Sequence, residues 1–153
     1  MTRILDAEIA VPARCELAEG PAWDAARGLL RWVDILAGRV HAAGQVSGAH
    51  TWFEVGGPPD GLTLDAEGCL WLAVWGSGEL RRYTPDGRLD TVVRLPVSQV
   101  TSAAFGGAGL STLYITTARE NFTPADLRAQ PHAGDIFACT PGVTGRLPYL
   151  FDA

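Results

Sequence analysis

Glu19, Asp60 and Thr101 stand 41 residues apart from one another, each just ahead of a short apolar strand, and this period constrains the fold more than any other feature. The segments that follow are Gly20-Pro21-Ala22-Trp23-Asp24, Gly61-Leu62-Thr63-Leu64-Asp65 and Ser102-Ala103-Ala104-Phe105-Gly106. Each runs through a glycine turn into a second, more apolar strand, at 29–34, 69–75 and 112–117. A fixed repeat of roughly 40 residues built from short strands is the signature of β-propeller blades.

The period predicts one all-β domain of three four-stranded units, about 16–56, 59–98 and 99–153, with a seam near 56–59. The first unit reads as strands over 20–24, 29–35, 39–42 and 49–55, preceded by a lone strand at 9–15. In the second unit the strands are 62–65, 69–75, 79–84 and 89–97, joined by Ala66-Glu67-Gly68, Gly76-Ser77-Gly78 and Pro85-Asp86-Gly87, each a hairpin turn in which glycine supplies the positive φ. The third has strands at 102–105, 112–117, 135–140 and 146–151, with a long excursion, 118–134, between its second and third strands. Thr123-Pro124 in that excursion reads as an N-cap followed by an N1 proline and a short helix.

In an up-and-down blade, the turn entering the first strand and the turn after the second lie at one end. Glu19, Asp60 and Thr101 therefore share a face with 34–37, with Trp75-Gly76-Ser77 and with the long excursion, which would cover the mouth of the central channel. Two carboxylates and a hydroxyl converging there suit a hard divalent cation, because such ions take oxygen ligands. The same residues also suit a simpler role, capping turns ahead of glycine on solvated loops. Asp24, Asp65 and Asp86 fall at the opposite end and read as structural. His41, His50 and His132 have neither HxH nor HExxH spacing, which gives a histidine zinc site weak support. No GxSxG elbow or phosphate-cradling glycine motif occurs. The five tryptophans fit core and interblade packing, and Trp75, at a strand end on the functional face, fits a pocket wall.

A net charge of -5 with twelve scattered basic residues gives no footprint for nucleic acid. No apolar run approaches a membrane span, and acids interrupt the N-terminal stretch where a signal peptide needs a continuous apolar core, so the expected location is the cytoplasm. Cys15, Cys69 and Cys139 are odd in number and widely spaced, which suggests free thiols rather than disulfides or a thiolate zinc site.

Leu17-Ala18-Glu19-Gly20-Pro21-Ala22-Trp23-Asp24, Trp32-Val33-Asp34-Ile35, Pro59-Asp60-Gly61-Leu62-Thr63-Leu64-Asp65 and Thr101-Ser102-Ala103-Ala104-Phe105-Gly106-Gly107 resemble the regucalcin/gluconolactonase family of the senescence marker protein type. Leu113-Tyr114-Ile115-Thr116-Thr117-Ala118-Arg119 and Gln130-Pro131-His132-Ala133-Gly134 extend the resemblance to nearly the whole chain. It implies a six-bladed propeller that hydrolyses sugar lactones to aldonic acids, with a central divalent metal, calcium or zinc, bound by Glu, Asp and Asn. By motif, the ligands fall on Glu19 and Asp60, with Asp60 also the base, and Trp75, Thr101 and Arg119 are the candidate substrate contacts.

The family's Arg-x-Asn-Asp-Gly and Ser-Asn-Gly motifs are missing, and the sole asparagine is Asn121 in the long excursion. The chain passes from the first blade straight into a late one, so the metal-binding Asn and the substrate-facing Arg have no counterparts. Three blades cannot close a ring, and the outer two expose sheet faces that neighbouring blades normally bury. A two-fold homodimer making six blades is the simplest expected remedy. The rival to a lactonase is a non-catalytic, cation-binding or scaffold half-propeller.

Overall fold

The computed structural model describes residues 10–24, 26–44 and 49–147. Eleven strands among them form three antiparallel sheets. The first sheet is the meander β1 (Ala18–Asp24), β2 (Leu29–Asp34), β3 (Arg39–Gly44) and β4 (His50–Glu54). The second repeats it with β5 (Pro59–Leu64), β6 (Leu70–Val74), β7 (Glu79–Tyr83) and β8 (Leu89–Arg94). The third contains β9 (Val100–Gly106), β10 (Thr112–Thr117) and β11 (Ile136–Cys139). These are three consecutive propeller blades.

The middle blade is the best covered, because its strand β6 is buried on both faces. Side chains alternate across a strand, so Leu70, Leu72 and Val74 turn one way and Trp71 and Ala73 the other. The first set packs with Val33, Val40 and Val55 of the first blade. The second packs with Ala103, Leu113 and Ile115 of the third. Two interblade layers, rather than one central core, hold the fold together.

Two expectations change. Residues 10–15 form no strand, and Ile9 lies outside the described residues. Arg146 and Leu147 form no fourth strand in the third blade, and 148–151 lie outside the described residues. Gly145 makes an isolated antiparallel bridge to Asp65 instead, and Arg146 reaches Asp24 at 3.4 Å, so this segment crosses beneath the blades rather than extending its own sheet.

The excursion between β10 and β11 contains α1 (Pro124–Ala129), as Thr123-Pro124 predicts. Thr123 Oγ1 accepts from the Asp126 N–H while the Asp126 carboxylate accepts from the Thr123 N–H, a closed capping box. No helix among the described residues is long and apolar enough to cross a membrane.

At the lower end of the blades, Asp24 and Asp65 are fully buried. Asp65 Oδ1 accepts the N–H groups of Glu67 and Cys69, and Oδ2 accepts Trp71 Nε1 and Arg82 Nε. Asp24 binds Arg27, Arg31 and Arg146. The structural reading of both acids holds.

Candidate functional site

Each innermost strand breaks register at its repeat-phased residue or, in β1, immediately after it. In β1 the ladder to β2 shifts between Glu19 and Ala22, and in β5 the ladder to β6 shifts between Pro59 and Leu62. In β9, Val100 and Ser102 pair with the consecutive Thr117 and Thr116, so Thr101 is the extra residue. Glu19, Asp60 and Thr101 thus lie within the first strands, not ahead of them. An unpaired residue bends the strand and re-aims its side chain, which is why bulges gather beside active sites.

Glu19 and Asp60 line one open cleft of ≈ 410 Å³ together with Trp75, Ile35, Leu36 and Glu120. Burial raises the Asp60 carboxyl above its ordinary range and the nearby Glu19 charge raises it further, against a smaller opposing pull from the Gly61 N–H. Gly61 is required for a steric reason: a Cβ there would overlap the Ser102 side chain and press on the Thr101 carbonyl. At the Asp-Gly pair β5 therefore passes too close to β9 to admit a side chain.

The structure brings Glu19, Asp60 and Trp75 together and leaves the other two candidates apart. The Thr101 hydroxyl is 2.7 Å from Thr116 Oγ1 and is not among the residues lining the cleft. Arg119 is exposed, its side chain packed beside Gly134, and does not line the cleft. Asn121 is exposed and does not line the cleft either.

Sequence reasoning missed Glu120, a third carboxylate at the cleft. Its signal was position alone, in the excursion expected to cover the mouth. Gln99 sets its place: the side-chain amide donates to the Glu120 carbonyl at 2.9 Å and accepts the Glu120 N–H at 2.8 Å. Gln130 Oε1 accepts the Ser98 N–H at 2.7 Å, which ties the far side of the excursion to the same loop. The site gathers acids around a partly apolar wall and has no described arginine in its lining. Such a site attracts a cation and one face of a small polar ligand.

The sequence profile described as the SMP-30/Gluconolactonase/LRE-like region matches residues 43–119. The chain is 35% identical to human regucalcin over 147 residues, covering 89% of this chain and 49% of that protein. It is 42% identical over 96 residues to the 6-deoxy-6-sulfogluconolactonase of Pseudomonas putida, covering 63% of this chain and 33% of that enzyme. The crystal structure of regucalcin from Agrobacterium tumefaciens, described as a calcium-binding protein, superposes with a TM-score of 0.84 at 27% identity, covering 91% of this chain and 50% of that one. The chain spans about half the length of the curated regucalcins it matches.

Proposed function

This chain belongs to the SMP-30/gluconolactonase/LRE-like family, and on that footing we propose that it is a metal-dependent hydrolase of sugar lactones working at the Glu19–Asp60 cleft. The observation that carries this reading is the pairing of two carboxylates in one cleft, with burial and the Glu19 charge both opposing ionisation of Asp60. Like-charged neighbours of this kind are relieved by a cation, and an all-oxygen donor set suits calcium, with zinc the alternative. Glu19 and Asp60 would hold the ion, which when bound supplies Lewis acidity to the lactone carbonyl.

Asp60 serves as the general base. It takes a proton from a water as the water oxygen adds to the carbonyl carbon; the ring C–O bond then breaks and the departing alkoxide is protonated, which yields an open-chain aldonic acid. Trp75 offers the apolar face of the sugar ring a wall, and Arg119 and Thr101, outside the cleft lining, are the further substrate contacts of this reading.

Turnover of gluconolactone and related lactones, followed with a pH indicator in the presence of Ca²⁺ or Zn²⁺, tests the proposal. Wild type should exceed buffer and Asp60→Asn should not. A rate equal to buffer transfers the cleft to the second reading, a non-catalytic cation-binding half-propeller. That reading is favoured by the exposed position of Asn121 and by a cleft lining without arginine.

The assembly in this reading is a homodimer. Tyr114 and Ile136 leave the third blade's outer face apolar and exposed, while Leu30 and Trp32 line a cleft on the outer face of the first. Register makes Trp32 the counterpart of Leu72 and Ile115, and Tyr114 the counterpart of Trp71. These outer faces are thus the two halves of one blade–blade interface, the first with Trp32 already covered beside Cys15, which a two-fold copy can join twice.

A further inference from the structure

We propose that Cys15, Asp34 and His41 form a second metal site, suited to zinc, that fastens the segment before β1 onto the outer face of the first blade. One ligand atom from each residue lies within 4.8 Å of the others. A tetrahedral zinc ion with bonds of about 2.0–2.3 Å holds its donors about 3.3–3.8 Å apart, so the three side chains close by up to about 1.5 Å around the ion.

The surrounding bonds prepare the site. Asp34 Oδ1 accepts two backbone N–H groups, from Leu17 at 3.2 Å and Ala37 at 3.4 Å, whereas Oδ2 accepts only Glu16 N–H at 3.1 Å. The carboxylate is therefore fixed in orientation with a lone pair to spare. The Cys15 sulfur accepts Trp32 Nε1 at 3.3 Å, which holds it beside this carboxylate. The His41 ring stacks on Trp32, with centroids 5.4 Å apart and planes 16° from parallel. Its Nε2 is buried and has no hydrogen-bond partner among the described residues. A buried ring nitrogen without a partner is unfavourable, and it marks His41 as a ring whose hydrogen bonding the protein alone does not complete.

Donor chemistry selects the ion. A thiolate, an imidazole and a carboxylate together suit zinc, whereas calcium and magnesium require oxygen throughout. Thiolate is the ligating form, so each ion bound expels the Cys15 proton, and the two anions then balance the dication. The Trp32 indole and the three backbone N–H groups on Asp34 act as the outer partners that hold such ligands in place. Ala18 pairs with Asp34 and Glu19 with Val33, so this site stands one rung of the ladder from the channel carboxylate.

Cobalt(II) titration of the intact chain tests the proposal, because a thiolate bound to Co²⁺ produces an intense near-ultraviolet charge-transfer band that oxygen ligands do not. The wild type should show the band, Zn²⁺ should bleach it, and one proton should be released per ion. Cys15→Ser should abolish it, while Cys69→Ser, Cys139→Ser and Glu19→Gln/Asp60→Asn should retain it. The last variant separates this site from the channel cleft, since lactone turnover can fail with the band intact. His41→Gln should weaken Co²⁺ binding by at least the about 10- to 100-fold that loss of an outer partner causes. Absence of the band in folded wild type, or its survival in folded Cys15→Ser, overturns the proposal. Should Cys15→Ser not fold, the proton count and the His41→Gln affinity decide in its place.

Discussion

Glu19 and Asp60 face one cleft from neighbouring inner strands, and the charge of Glu19 adds to burial in keeping the Asp60 carboxyl above its ordinary range. Without a cation, this pair opposes folding near neutral pH. With one, the same repulsion becomes a source of affinity.

The metal-free protein should therefore be stabilised by Asp60→Asn near neutral pH. A folded-state pKa raised above the unfolded value means that the native state holds the proton more tightly. The stability from that proton is complete below 3.8, the ordinary carboxylate value, and is lost as pH rises through the folded value. Thermal unfolding in chelator should show a higher Tm for Asp60→Asn at neutral pH and no difference in acid below 3.8. A lower Tm for the variant at neutral pH would contradict the electrostatic account.

Adding a divalent ion should reverse the order. Binding to the native state alone stabilises wild type by about 2.7 kcal/mol at a hundredfold excess over Kd. Asp60→Ala should gain nothing from the channel site. Because Cys15, Asp34 and His41 respond to zinc in the further proposal, Ca²⁺ is the discriminating ion. No calorimetric heat with Ca²⁺ and an unchanged melting curve would remove calcium from the cleft.

The 41-residue spacing of Glu19, Asp60 and Thr101 made the blades and the shared face legible from sequence alone. It could not carry over to the second strands. Asp34, Val74 and Thr117 occupy equivalent rungs, opposite Ala18, Pro59 and Val100, because the turns between the paired strands differ in length. Which of Trp32 or Val33 faces the neighbouring blade therefore depended on turn geometry, not on period. Thr101 fell outside the cleft for a related reason: its hydroxyl is paired with Thr116, a partner fixed only once β9 and β10 are in register. Cys15, Asp34 and His41 meet across three separate segments, and no linear spacing encodes that meeting. Asp65 was legible as structural, but its link to Arg82 was not.

That link yields a stability prediction. Arg82 donates to Asp65, Glu67 and Asp90 from an almost buried position. Asp65→Ala removes the fully buried partner and leaves Arg82 Nε and Trp71 Nε1 without their acceptor, for a loss of about 3–5 kcal/mol. Glu67→Ala removes an arm that is 63% exposed and should cost under about 1 kcal/mol. Urea unfolding of the two variants checks the ranking, and equal losses would deny Asp65 its central place.

Gln99 should control Glu120. Gln99→Ala deletes both hydrogen bonds that hold the Glu120 backbone, each worth about 0.5–1.5 kcal/mol. The Glu120 amide should then exchange with solvent faster, while amides in β6 keep their protection. Unchanged exchange at Glu120 would show that the excursion is held by α1 and Gln130 instead.

Assembly rests on the outer faces. The third blade exposes Ile136 at 69% and Tyr114 at 43%, and the first exposes Trp23 at 50%. Burying such side chains contributes about 25 cal/mol per Å² of apolar surface removed from water. A two-fold copy would place the Tyr114 face of each chain against the Trp32 face of its partner, with the segment before β1 at the seam. Light scattering of this chain should give twice 16.2 kDa. Tyr114→Arg puts a guanidinium into that seam without disturbing the interblade layers, since Tyr114 points away from both. It should return the chain to 16.2 kDa with its far-ultraviolet spectrum intact. A wild type that is monodisperse and stably folded at 16.2 kDa would rule out the paired ring.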